Sequence, residues 1–247
     1  MKHIEFFNNG FDKTVQEKIQ PENWPYIGYS PNNGFMFTMV PEPPQMIDLG
    51  LSVKWADRNV GAYSPEDNGL YFSWGNVEGH AVGKNGNTMD GYSFSEDAYY
   101  KTPGYNYNGT TLDAAHDAAT VNIGEEWRMP TKDEINELIE NTDQYYIDED
   151  DRIIDKSKLD GANLCSICFV KKNEEFNYNN RTNFIEIPFV GFCNGSFLHG
   201  EGIGCIVWSS SAYKRTTGYV LIGNVEGIYC NAEDQGYLGL SVRGVHA

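Results

Sequence analysis

Positive charge is scarce in this chain. Its 247 residues carry 18 Lys and Arg against 35 Asp and Glu, a formal net charge of −17. Phosphate backbones are bound by clustered Lys and Arg, so this balance argues against a nucleic-acid partner. It argues equally against an anionic membrane surface, and a solvated acidic exterior that favours solubility is the simpler account. No run of 18 or more apolar residues occurs, so membrane insertion is not expected. The start, Met1-Lys2-His3-Ile4-Glu5-Phe6-Phe7-Asn8, has neither a signal-peptide apolar region nor a lipid-attachment cysteine, and the expectation is a chain not addressed to the secretory route.

Cysteine is also sparse. Cys165, Cys168, Cys193, Cys205 and Cys230 are odd in number and few for the length, unlike a disulfide scaffold. Cys165 and Cys168 make a C-x-x-C, but the surrounding run from Asn163 to Val170 reads as a buried strand, where positions i and i+3 face opposite sides. No second ligand pair stands at zinc spacing, so structural thiols are expected. Catalytic patterns are missing too: no G-x-S-x-G, H-E-x-x-H or G-x-G-x-x-G occurs. The histidines (His3, His80, His116, His199, His246) are scattered, and Ser209-Ser210-Ser211 has no base beside it in sequence. Neither an enzyme nor a cofactor is expected.

What the chain does contain is glycine (26 residues), tyrosine (16) and an aromatic share of 14%, a composition of strands and loops rather than helical bundles. Residues 1–44 read as a separate small β-rich element. Asn8-Asn9-Gly10 and Asn32-Asn33-Gly34 are turn signals, Phe6, Phe7, Phe11, Trp24, Tyr26, Phe35 and Phe37 supply apolar area, and residues 36–40 are a candidate strand. Pro41-Glu42-Pro43-Pro44 is a stiff linker. The element is read either as a docking arm, through which the chain could oligomerise, or as an extension packed on the main domain.

From residue 45 to 247 one larger domain is expected. Strands are placed at 52–58 and 69–74, with Ser64-Pro65-Glu66-Asp67 turning between them. Residues 76–112 show little periodicity and read as a long loop, in which Tyr99, Tyr100, Tyr105 and Tyr107 line a ligand surface or cover the core. A short helix is expected at 113–122. A clearer one runs over 131–141, where Thr131 and Glu134 form a capping box and Ile135, Leu138 and Ile139 repeat at helical spacing. Asp148-Glu149-Asp150-Asp151 lacks the glycine of an EF-hand and reads as a solvated turn. Strands follow at 165–171 and 184–190, with a long hairpin loop between them and Pro188 at a strand end or edge. Residues 191–204 read as a glycine loop.

The last forty residues organise the rest. Gly204-Cys205-Ile206-Val207-Trp208-Ser209-Ser210-Ser211 and Gly236-Tyr237-Leu238-Gly239-Leu240-Ser241-Val242-Arg243-Gly244-Val245 read as strands. Between them, residues 212–235 mix Tyr, Asn, Arg and Gly. Such a mixture suits a contact surface, with rigid amphipathic tyrosines and adaptable polar groups, and equally suits a plain hydrophilic hairpin and loop.

The frame W-S-S-S, about 25 mixed residues, then G-hydrophobic-S-V-R resembles the C-terminus of the Fibrobacter-type major paralogous domains. These include the variable proteins of diversity-generating retroelements, and the resemblance implies a C-type lectin fold. It recurs in order upstream, in Asp48-Leu49-Gly50-Leu51-Ser52-Val53-Lys54-Trp55-Ala56, Asn59-Val60-Gly61-Ala62, Tyr71-Phe72-Ser73-Trp74-Gly75, Asp117-Ala118-Ala119-Thr120 and Trp127-Arg128-Met129-Pro130-Thr131. It implies an α+β, C-type-lectin-like domain with a twisted antiparallel sheet, two helices and long loops. It implies a ligand-binding, receptor-recognition protein, set in a phage tail tip or on a bacterial cell surface, with a cell-surface protein or glycan as ligand. The ligand residues it points to are Tyr213, Arg215, Tyr219, Asn224, Tyr229, Asn231, Asp234 and Tyr237, gathered in one exposed patch. Diversification in that family is adenine-directed, and the resemblance implies that Lys214, Glu226, Glu233 and Gln235 would stay fixed. The cysteines match no motif of the formylglycine-generating oxidases that share the fold. The alternative is a structural tail, baseplate or surface-assembly subunit without a diversified site. The two readings differ in whether the C-terminal surface exposes an aromatic patch or buries it.

Overall fold

The computed structural model describes residues 43–101, 108–154, 159, 163–233 and 235–246, together with the backbone of 27–30 and 34–37. The chain divides into two compact units, Met1–Glu42 and Pro43–Ala247. In the first, β1 (Ile27–Ser30) and β2 (Gly34–Phe37) form an antiparallel hairpin, with Ser30 opposite Gly34. The strand expected at 36–40 therefore begins earlier, directly after the Asn-Asn signal. Phe6, Phe7, Phe11, Trp24 and Tyr26 lie outside the described residues.

The second unit is mostly β-sheet with short helices, an α+β architecture. Its elements run β3 (Met46–Ile47), β4 (Lys54–Asn59), β5 (Tyr71–Phe72), α1 (Glu96–Tyr99), α2 (Ala118–Ile123), β6 (Trp127–Arg128), α3 (Lys132–Asn141), β7 (Thr142–Asp148) and β8 (Ile153–Ile154). Then come β9 (Leu164–Lys171), β10 (Phe184–Pro188), β11 (Val190–Asn194), β12 (Phe197–Glu201), β13 (Gly204–Lys214), β14 (Thr217–Asn224), β15 (Gly227–Ala232), β16 (Leu240–Ser241) and β17 (Arg243–His246). One sheet has the order β3-β4-β17-β6 and a second β10-β9-β7-β8. The third has the order β12-β11-β13-β14-β15, with β16 beside β13 and β5 beside β16. Only β11 and β16 run parallel to their neighbour β13; the other paired strands are antiparallel.

Local chemistry explains the elements that sequence located. At α3 both halves of the capping box form: the Thr131 hydroxyl accepts from Glu134 N, and the Glu134 carboxylate accepts from Thr131 N at 2.8 Å. Ile135 and Leu138 then turn inward. On β9 the two cysteines part as strand alternation requires, Cys165 exposed and Cys168 fully buried. Pro188 ends the edge strand β10, where no ladder partner needs its missing N–H.

Four expectations are corrected. The helix placed at 113–122 starts at Ala118. Asp113 closes a separate turn on Ala115 and His116, and Asp117 is the N-cap, accepting from Thr120 N at 2.9 Å and from Met129 N at 2.8 Å. The acidic run is a hairpin turn, but Asp148 in it is buried, folding its carboxylate onto the N–H groups of Asp150 and Arg152. The glycine loop at 191–204 is the hairpin β11–β12. Asn194 pairs with Phe197 around the two-residue loop Gly195-Ser196, and Gly195 at φ 62° supplies the positive φ that such a loop needs first. Finally, residues 212–235 are strands over most of their length, because Val220 and Leu221 are buried on opposite faces.

Residues 76–101 and 108–112 are pinned rather than loose. Single bridges join Tyr71 to His80, Asn87 to Phe197, Phe94 to Gly195 and Thr111 to Ser211. Of the four tyrosines, Tyr99 is buried with its single O–H between two carbonyl oxygens, Trp74 O (2.6 Å) and Thr216 O (2.9 Å), while Tyr100 is exposed. Tyr105 and Tyr107 lie outside the described residues.

Two apolar clusters flank the third sheet. Cys205, Val207 and Leu221 enter one, with Trp55, Ile135, Leu138, Ile167 and Phe169. Trp208 and Val220 enter the other, with Phe72, Trp74, Ala118, Ala119 and Leu240. Trp55, Trp127 and Trp208 are buried. Trp208 Nε1 donates to Phe72 O at 2.8 Å, and Trp74 Nε1 donates to Ser209 O at 3.0 Å. Arg243 is wholly buried, and its guanidinium donates to Asn59 Oδ1, Ala56 O and Glu186 O at 2.7–3.1 Å. Burial pushes its pKa down to about 10, which leaves the cation in place at neutral pH.

Candidate functional site on the C-terminal sheet

Strand pairing decides which C-terminal side chains share a face. Ile206 lies opposite Ile222, and Ile222 opposite Tyr229. The next row is Trp208, Val220 and Asn231. These rows belong to one face, because opposed residues and residues two apart point the same way. The other face carries Val207, Leu221 and Cys230 in one row, with Tyr219 and Ala232 opposed in another. This second face is the one that packs against Ile135 and Leu138 of α3.

The expected single patch is thus divided. Tyr219 is half-buried on the α3 side. Its ring meets the exposed Tyr213 edge-on at 5.7 Å between centroids, and Lys132 Nζ lies over it at 4.9 Å. Lys214 Nζ lies over Tyr213 at 4.8 Å, and Arg215 is exposed at the hairpin tip. Tyr229 and Asn231 are exposed on the opposite face. Alternation along β15 forces this separation: Tyr219 opposes Ala232, whereas Tyr229 and Asn231 sit at odd offsets from it. Asn224 is committed to the β14–β15 turn, its Oδ1 accepting from Glu226 N (2.8 Å) and Gly227 N (3.2 Å). Tyr237 is half-buried, with its hydroxyl bonded to Gln235 Oε1 at 2.7 Å. Asp234 lies outside the described residues.

The face bearing Tyr229 contains a cleft that sequence reading did not find. Its volume is about 300 Å³, and it is lined by Phe192, Asn194, Ile206, Glu233, Gln235 and Leu238. Three separate segments build it. β11 contributes Phe192 and Asn194, and β13 contributes Ile206. The chain leaving β15 at the sheet edge returns to β11, where Gly239 and Cys193 exchange backbone hydrogen bonds of 2.7 and 3.0 Å, and on the way it contributes Glu233, Gln235 and Leu238. This crossing is held tightly. Gly236 O accepts from Trp74 N at 2.8 Å, Tyr237 O accepts from Ser73 Oγ at 2.9 Å, and a Cβ on Gly236 would lie 1.8 Å from Thr216 O. The one signal in sequence was the Asn194-Gly195 turn; the rest depends on long-range pairing.

The serine run has a structural use. Ser209, Ser210 and Ser211 are buried, and Ser211 Oγ accepts from Lys132 N while Ser210 N donates to Pro130 O, so the run anchors the start of α3. Among the described residues, no group of three or more His, Cys, Asp or Glu side chains is arranged to hold a metal ion. No described helix is long and apolar enough to cross a membrane. The chain matches no protein-family model, no curated protein and no solved structure.

Proposed function

We propose that this chain is a ligand-binding, receptor-recognition protein with a C-type-lectin-like fold, whose C-terminal sheet is its display surface. It resembles the variable proteins of diversity-generating retroelements, and its setting is a phage tail tip or a bacterial cell surface. The observation that carries this reading is the contrast within β13–β15. Trp208 is wholly buried on β13, while Tyr213 further along that strand and Tyr229 on β15 are 42% and 40% exposed. A sheet that hides its frame and presents tyrosines can change its outer residues without unfolding. A spacer subunit would have no use for exposed aromatics on its surface. The order of motifs from Asp48 to Val245 supports the same reading.

The test is binding of the purified protein to bacterial cells, with Tyr213→Ala/Tyr229→Ala as the variant. Binding should be lost, at a cost of ~2 kcal/mol or more for each hot-spot tyrosine. Stability should move by about 0.5 kcal/mol or less, because both side chains lie outside the core. Normal cell binding by the folded double variant would refute the reading. The neighbouring DNA offers a second check: a reverse transcriptase beside a near-repeat of the 3′ end, differing at adenines, is the expected finding for a diversified copy.

A further inference from the structure

The sheet that carries β13–β15 has two ends, and they are treated differently. The β12 edge is covered: Leu198 N donates to Gly86 O at 2.8 Å and Thr88 N to Ser196 O at 3.1 Å, and the strand ends on Glu201. In the other two sheets of this unit the edge strands β3, β6 and β8 are two residues long, and β10 ends in a proline and gives its Glu186 carbonyl to Arg243. Such devices keep an exposed edge from pairing with another chain. β15 has none of them. Gly227-Ile228-Tyr229-Cys230-Asn231-Ala232 runs six residues without a charge or a proline, on a chain of formal charge −17. The register fixes which of its backbone groups are free. Glu233 N donates to Gly218 O at 3.0 Å, and bonded pairs alternate along an antiparallel ladder, so Asn231, Tyr229 and Gly227 bond to β14. Ile228, Cys230 and Ala232 turn their N–H and C=O groups outward. The Asn231 side chain meets Ala232 N at 2.9 Å, and among the described residues nothing meets the backbone groups of Ile228 and Cys230.

We infer that β15 is a dimerisation edge, which pairs antiparallel with β15 of a second copy of this chain about a two-fold axis at Cys230. The inference goes beyond the display reading and does not rest on it. Self-pairing about Cys230 sets Ile228 against the second copy's Ala232, and Cys230 against its own counterpart. These are the residues whose backbone groups point outward, so the ladder continues across the axis. An axis at Tyr229 or Asn231 would pair one of the three beyond the end of the strand, so Cys230 uses the edge fully. The side chains match as well. On the α3 side Ile228, Cys230 and Ala232 meet one another beside Ile139, and on the open side each Tyr229 faces an Asn231. An unrelated peptide would have to reproduce this pattern; a second copy presents it by symmetry. Glu226 and Glu233 lie just outside the paired stretch. Repulsion between two acidic chains therefore acts from beyond the contact, where salt screens it. The paired sheet turns Tyr229 of both copies to the same side, a geometry in which two surface contacts act with avidity.

The experiment is sedimentation equilibrium of the full chain over a range of concentrations, with no cells or ligand present. The wild type should show a reversible monomer–dimer equilibrium that tightens as salt is raised. Cys230→Lys and Cys230→Glu each set like charges directly opposite one another across the axis. Each, confirmed folded by its melting curve, should sediment as a monomer. Mixed in equal amounts they should recover the dimer, because lysine then faces glutamate, and that recovery separates an effect on the edge from damage to the fold. A covalent trap gives a second readout. Opposed residues of a bonded antiparallel pair have Cα atoms about 5.5 Å apart, inside the range that a disulfide spans. In a Cys165→Ser background, copper–phenanthroline oxidation should give a disulfide-linked dimer, and adding Cys230→Ser should abolish it. A wild type that stays monomeric at every concentration overturns the proposal. So do charge variants that dimerise as the wild type does, a mixture of the two that stays monomeric, and a covalent dimer that forms without Cys230. Loss of the dimer leaves the receptor-recognition reading standing, and normal cell binding by the tyrosine variant leaves the dimer standing, because the two tests share no readout.

Discussion

The two faces of the β13–β15 sheet are made by the same strands and do opposite things. On one face Cys205, Val207 and Leu221 sink into a cluster with α3 and β9, leaving only the hairpin end, with Tyr213 and Tyr219, near solvent. On the other, Trp208 and Val220 are buried, but the adjoining row of Ile206, Ile222 and Tyr229 opens into a cleft and then to solvent. One face is a core with an aromatic edge, and the other is a core that grades into exposed side chains. Residue parity decides which of the two cores a side chain enters. A change at an even position of β14 and one at its odd neighbour therefore act on different clusters, although they are adjacent in sequence.

The largest expected effect comes from the buried side. Trp208→Ala removes a fully buried indole, the contacts it makes in its cluster, and the bond from Nε1 to Phe72 O. It should cost about 3–5 kcal/mol, or roughly 6–20 °C in melting temperature for a domain of this size. A melting curve checks it. A shift no larger than that of Tyr229→Ala would erase the contrast between frame and surface.

The boundary between the two is the crossing that carries Gln235. Gly236→Ala places a methyl 1.8 Å from Thr216 O, a backbone atom that cannot rotate away. The segment must shift, at an overpacking cost of about 1–3 kcal/mol. A melting curve checks it, and unchanged stability would mean that the crossing is not the rigid wall described here.

The parts of this architecture that were legible in sequence are those set by near neighbours. The capping box of Thr131 and Glu134 and the periodicity behind it located α3 to within a residue. The run around Cys165 and Cys168, bounded by polar turns, located β9. What escaped was set by distant partners. β11 and β12 look like a glycine loop because their pairing is enforced by Gly195 and by contacts with β13 and residues 86–88, not by hydrophobic alternation. The cleft combines residues 192, 194, 206 and 233–238, and no local window contains that juxtaposition. The tyrosines were found one by one from their residue type. Their division between faces needed the register of β14 against β15, which sequence does not print.

The smallest expected effect tests the same parity rule on a strand without a proposed function. Cys165 and Cys168 lie three apart on β9, one exposed and the other fully buried. Cys193 and Cys205 are buried as well, and burial pushes the pKa of each to about 12. A thiol reagent should therefore modify Cys165 first in the folded protein, and the buried thiols only after denaturation. Its rate carries a second signature. Partial burial, followed by the nearby Glu149 and Asp148 carboxylates, raises the Cys165 pKa above the ordinary thiol value of 9.0. The thiolate is the reactive form, so the rise of labelling with pH should have its midpoint above 9.0, the midpoint of an unperturbed thiol. Cys165→Ser should abolish the fast phase and change stability by no more than about 0.5 kcal/mol. Cys168→Ser should leave the fast phase intact and lower the melting temperature, because it puts a hydroxyl where the sulfur packs among Ile147, Val170 and Phe184. If labelling maps by mass to Cys168, or if the two substitutions destabilise equally, β9 does not present its cysteines to opposite sides. The face assignments that rest on the same alternation in β14 and β15 would then need to be redrawn.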